Sequence, residues 1–140
     1  MPTVKTIEES VSLPLVLGPS AERDIPLPAA VVFHIVHSKL WHLIAWSDPA
    51  SNSCGLWLKG MAIALPRDRL ATLSIEVMRP AKGGGWVALE ARLAARPVPV
   101  TLMQCVTFQE AALAWLNEHR QRLALAFDCV VTDNDYGCDY

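Results

Sequence analysis

An α/β fold is predicted, with a single mixed β-sheet of about five strands and three helices packed on it. Three observations carry that expectation. The 140 residues suit one domain spanning residues 1–140, and 52% hydrophobic against 19% charged residues excludes an intrinsically disordered chain. The second half alternates helical and extended patterns, which implies βαβ crossovers and partly parallel pairing. The first half reads as strands in succession.

Residues 1–10 are polar and are expected to be loose. Val11 to Leu17 is a short apolar run that Pro14 confines to a sheet edge. Gly18, Pro19, Pro26 and Pro28 mark residues 18–28 as a loop. Ala29 to Val36 is apolar and β-branched and reads as a strand, as does Trp41 to Trp46. With Ser38-Lys39 as the turn, the two make a hairpin. His37 and His42 then share one face and His34 takes the other.

Asp48-Pro49 opens a turn-rich loop. Cys54 to Leu65 follows as a helix of about three turns, capped by Asn52 or Ser53 and ended by Pro66. Its apolar residues run almost all round, with Lys59 the only charge, so it needs cover on several sides. Leu70 to Val77 alternates and reads as a strand. After Gly83-Gly84-Gly85, residues 86–95 place Trp86, Leu89 and Leu93 at helical spacing.

Val100 to Val106 is extended. Thr107 and Glu110 then match a capping box, and the helix behind them carries Ala112, Trp115 and Leu116 on its apolar face. Residues 128–140 form an acidic tail with Asp128, Asp133, Asp135 and Asp139, in which Val130-Val131 adds a final short strand.

A net charge of -2 supplies no basic field, so nucleic acid is not an expected partner. No membrane span is expected. Glu8 and Glu9 precede the first apolar run, where a signal peptide needs positive charge. Residues 25–46 carry Lys39, which costs roughly 2.5–3.5 kcal/mol at mid-bilayer. The four cysteines lie in no C-x-x-C pair, so reduced thiols and a cytoplasmic location are expected, with Cys105 and Cys129 packed as small hydrophobes.

The run from Leu43 to Val77 reads strand, loop, Asn52-Ser53-Cys54-Gly55-Leu56, helix, strand. Further on, Val100 to Val106 leads into Phe108-Gln109-Glu110-Ala111-Ala112-Leu113-Ala114-Trp115-Leu116. Over residues 43–119 this resembles the STAS family, the domain of sulfate transporters and anti-sigma-factor antagonists, and in particular its bacterial members. The resemblance implies STAS-like topology and a non-enzymatic regulatory module that binds a protein partner or a second copy of itself. Its contact surface would be Asn52, Ser53, Cys54, Gly55 and Leu56. Asn52 stands where the family has Asp, and Cys54 stands where its antagonists carry the phosphorylated serine.

The alternative function is a small enzyme or ligand-binding protein. A thiol at a helix N-terminus has a lowered pKa, so Cys54 would be reactive there, with a histidine from residues 34–42 as its base. No cofactor is expected, and no metal site. His34, His37 and His42 do not converge on one face, the triglycine lacks phosphate-loop spacing, and the chain ends before Asp133-Asn134-Asp135 could complete a calcium loop. The five tryptophans read first as core residues, and the alternative places one or two of them at an exposed apolar patch that marks an interface.

Overall fold

The computed structural model describes residues 4–11, 15–39, 41–80 and 84–139, with side chains except at residues 80 and 137–139. In chain order its elements are β1 (Lys5–Ser10), β2 (Val16–Leu17), α1 (Ala29–Val36), β3 (His42–Asp48), β4 (Ser53–Leu58), β5 (Met61–Pro66), β6 (Leu70–Pro80), β7 (Trp86–Leu93), β8 (Val100–Cys105), α2 (Glu110–Phe127) and β9 (Val130–Asp139). They build two sheets, not one. The first is antiparallel, in the order β1-β3-β4-β5. The second runs β2-β8-β7-β6-β9 and is antiparallel except for β9, which lies parallel to β6.

Period-two alternation explains the core. Leu43 and Ala45 of β3, with Cys54, Leu56, Leu58, Ile63 and Leu65 of the β4–β5 hairpin, face inward from the first sheet. Leu73, Ile75 and Val77, with Val87, Leu89, Ala91 and Leu102, meet them from the second. Helix α2 contacts β1 and β3 on one side and β6, β7 and β9 on the other. It adds Ala112, Trp115, Leu116, Leu123 and Phe127 to the same core. A smaller cluster lies on the opposite face of the first sheet, where Ile44, Trp46 and Ala62 pack under Val31 of α1.

The expected single sheet with three helices is therefore overturned, and the STAS-like topology with it. The described residues hold two α-helices, and two segments expected to be helical are strands. Residues 54–65 form the hairpin of β4 and β5. The nearly continuous apolar run that suggested a buried helix equally suits strands covered on both faces. The deciding signal is Lys59-Gly60. Both residues have positive φ (51° and 84°), and Leu58 pairs directly with Met61, so the pair makes a two-residue hairpin turn of the primed kind. In residues 86–95 the helical spacing of Trp86, Leu89 and Leu93 loses to the alternation of Val87, Leu89, Ala91 and Leu93, all of which are buried. Gly84 and Gly85, both at positive φ, lead into β7 and not into a helix; Gly83 lies outside the described residues.

The converse error falls on Ala29–Val36, which is helical. Proline at residue 28 already holds the extended conformation of an N-cap, and Val31 and Ile35, one turn apart, both reach the smaller cluster. β-branched residues lower helix propensity only by tenths of a kcal/mol, roughly, and burial outweighs that. Lys5–Ser10, expected to be loose, pairs along its length with His42–Ser47. Among the described residues of the first apolar run only Val16–Leu17 is a strand, and residues 12–14, Pro14 included, lie outside the described residues.

The patterns of β3, β6, β8 and α2 match the elements expected there. The capping box does not form, since Gln109 is the N-cap of α2 and makes no side-chain cap bond. The acidic tail is the long edge strand β9. Its Asp133 accepts hydrogen bonds from Arg120 and its Asp135 pairs with Arg79. Among the described residues no helix is long and apolar enough to cross a membrane.

Candidate functional site

Helix α1 is short, and no side chain caps its N-terminus. Eight residues fall well below the roughly 12–15 at which isolated helices become stable, so tertiary contacts must hold it. Apolar packing through Val31 and Ile35 supplies one part. The other part is a carboxylate on β1. Glu8 accepts from the Ser38 hydroxyl at 2.7 Å, from His34 Nε2 at 2.9 Å and from His42 Nδ1. Thr6 Oγ1 stands 3.1 Å from His34 Nδ1. These donors hold the Glu8 carboxyl down at about 2, with the Ser38 hydrogen bond the largest cause, then those of His42 and His34. One side chain thus ties together the last turn of α1, the connection that follows it and the start of β3.

The anchored helix turns an uncharged face to solvent. Val32 is 46% exposed, Phe33 68% and Val36 72%, and Ala29 and Ala30 are exposed beside them. The Trp41 ring, 51% exposed, follows the helix and carries the Lys39 ammonium 5.6 Å from its centroid. His37 closes the helix end, with Nδ1 2.9 Å from the Phe33 carbonyl and its ring 4.4 Å from the Phe33 ring. Isolated exposed hydrophobics are ordinary, but here several share one face of a short helix.

The segment chosen from the sequence has a different character. Asn52 sits in the turn before β4 at a φ of 52°, a conformation Asn tolerates. Its side chain accepts from the Asp68 backbone N–H at 2.8 Å and donates to the Asp68 carboxylate at 3.1 Å. Ser53 accepts from the Trp46 indole N–H at 3.0 Å. Cys54 and Leu56 are core residues, and Gly55 lies under the Trp46 ring. No helix begins here, so no helix dipole acts on Cys54. Burial, with a smaller contribution from Cys129, pushes its thiol up to about 12. Of the five residues only Asn52 is exposed.

The histidines also group differently from the hairpin reading. His34 and His42 meet at Glu8, whereas His37 stays at the end of α1. That follows from α1 being helical, which moves His34 off the strand register. Among the described residues no group of three or more His, Cys, Asp or Glu side chains could hold a metal ion. Glu8 is what the sequence reading missed. Its signal was weak, an acidic residue inside an alternating polar stretch. Cys54, Cys105 and Cys129 are unpaired, the first two buried and the third half-buried.

No family model matches this sequence, and no curated protein or solved structure matches it either, so the likeness to STAS domains has nothing behind it but the short motifs that suggested it.

Proposed function

We propose that this protein is a non-enzymatic interaction module that pairs with a second copy of itself through the outward face of α1. The observation that carries the reading is the exposure of Val32, Phe33 and Val36 on one helix that Glu8 holds in place. A two-fold interface brings each patch against its own copy, so charge on the patch would repel. From Ala29 to Val36 the one titratable side chain is His34, which is turned to Glu8, and Lys39 lies at the margin over the Trp41 ring. Trp41 extends the patch with the residue type enriched at interface centres. The unpaired cysteines favour a reducing compartment, and we read the protein as cytoplasmic. Cys54, buried in the core, lends nothing to a reactive-thiol reading.

Sedimentation velocity over a range of protein concentrations tests the proposal. The wild-type chain is expected to sediment as a dimer, and Phe33→Asp and Val36→Asp as monomers with unchanged circular dichroism. A wild-type chain that stays monomeric at every concentration would overturn it. So would a dimer that neither substitution weakens.

A further inference from the structure

Residues 15–22 run from the second sheet to the first and are tied to both. Val16 and Leu17 pair with Gln104 and Met103 of β8, and the Gly18 N–H donates to the Leu102 carbonyl at 2.9 Å. A Cβ on Gly18 would stand 1.9 Å from the Thr101 carbonyl oxygen, so the two backbones approach as only glycine allows. At the other end Glu22 and Ala62 of β5 exchange two backbone hydrogen bonds of 2.8 Å each. Between these anchors the strap and the β4–β5 turn enclose a pocket of about 350 Å³. Its floor is the margin of the main core: Leu15 and Leu58 belong to that core, and Leu17 and Ala21 pack against it. Val16 and Pro19, which also line it, are exposed, so the pocket opens to solvent. Walls pinned by backbone hydrogen bonds at both ends make it a preformed site, in the size range of small-ligand pockets.

From this geometry we infer that the pocket binds a free alkyl monocarboxylate, with its chain against the core margin and its carboxylate on Lys59. Among the described residues Lys59 is the one charged side chain that lines the pocket, and the other lining residues are apolar. Among the same residues no acidic side chain pairs with its ammonium. A single unanswered cation at an apolar pocket selects a ligand with one anionic head and an apolar body. No aromatic ring among the described lining residues offers a face to a planar ligand, whereas Met61 is a flexible side chain that adapts to a flexible tail. An apolar cavity of roughly 150 Å³ holds benzene, so more than twice that volume suits a chain of about eight to ten carbons. The turn adds a second argument. Lys59 holds a φ of 51° in a two-residue turn whose first position favours Asn, Asp or Gly. A long side chain there strains the backbone, and in return its flexible stem gives the ammonium reach across the pocket. Nothing here depends on the α1 surface, which lies on the opposite face of the first sheet.

Titration of protein carrying ¹³C-methyl methionine with sodium octanoate, kept below its micelle concentration, tests the site. The Met61 methyl resonance reports occupancy. A saturable shift is expected with octanoate and none with acetate, which has the head without the chain. Octyltrimethylammonium keeps the chain and reverses the charge, and it should bind at least about fivefold more weakly than octanoate. Asparagine suits the turn position better than lysine, so Lys59→Asn should keep the wild-type circular dichroism and lose at least about fivefold in octanoate affinity. Lys59→Arg keeps the charge and should bind nearly as the wild type does. The proposal is overturned if octanoate gives no saturable shift, if acetate moves Met61 as far, if octyltrimethylammonium binds as tightly, or if folded Lys59→Asn binds as the wild type does.

Discussion

Glu8 and Glu9 are neighbours in β1 and hold different helices. Glu8 accepts from His34 of α1, while Glu9 lies 3.2 Å from His119 Nε2 and pairs with Arg122, both of α2. Alternation along a strand sends consecutive side chains to opposite faces, and the two helices lie on opposite faces of the first sheet. On the α2 side Trp115 adds an indole hydrogen bond to the Ser10 carbonyl at 3.0 Å and stacks on His119 with ring centroids 4.1 Å apart.

Removing the Glu8 charge should loosen α1 and change how stability depends on pH. Folding lowers this carboxyl from 4.5 to about 2. The folded state therefore binds fewer protons than the unfolded chain between those values. The stabilisation is complete above about 4.5 and is lost as the pH falls to about 2. Urea denaturation of Glu8→Gln at pH 7 should show a loss of roughly 1.5–3 kcal/mol, the range for hydrogen bonds to charged groups. The gap from wild type should close through that acidic window.

Gly55 admits no larger residue without movement. A Cβ there would stand 2.0 Å from the Ile63 carbonyl oxygen and 2.8 Å from the Trp46 ring. The first of these atoms is backbone in the paired strand β5, so a rotamer change cannot relieve the clash. Gly55→Ala is expected to cost about 3 kcal/mol, the upper end for overpacked cores, read as a lower urea midpoint with an altered Trp46 emission.

Cys54 should behave as a core residue. Its Sγ lies 3.7 Å from the Leu65 carbonyl oxygen, and its thiol titrates only at about 12. Maleimide labelling followed by peptide mass spectrometry should leave it unmodified in the folded protein at neutral pH and modify it fully in denaturant. Rapid native labelling would revive the reactive-thiol alternative.

Glu90→Gln should stabilise the protein at neutral pH. Burial and the neighbouring Glu76 raise this carboxyl, so the folded state holds its proton more tightly than the unfolded chain does. Stability from that proton is full below the ordinary carboxylate range and declines as the pH rises through the raised value. Glutamine fixes the neutral form, so its thermal midpoint should exceed wild type at pH 7 and converge with it in acid.

Legibility in the sequence followed whether the second face of an element is polar or apolar. Leu70–Pro80 buries one face against the core, and its alternation of Leu73, Ile75 and Val77 with Thr72, Ser74 and Glu76 was readable. So was α2, whose Ala112, Trp115 and Leu116 repeat at helical spacing. The β4–β5 hairpin is covered on both faces, by the core and by Trp46 with α1, so apolar residues fill both sides and no period survives. Only Lys59-Gly60 betrayed it. The site residues were harder to see. Glu8, His34, Ser38 and His42 span more than thirty positions in sequence, and their meeting depends on α1 being a helix. Glu76 and Glu90, outside that site, likewise come together only through the β6–β7 register.

The strand β9 borders the second sheet, and a ten-residue border is a template on which a stranger's chain could zip. From Thr132 to Tyr136 that border carries no aliphatic side chain, and the anionic groups at Asp133 and Asp135 are clamped by Arg120 and Arg79. Charged side chains and their ion-pair partners along such a border disfavour the docking of a further strand.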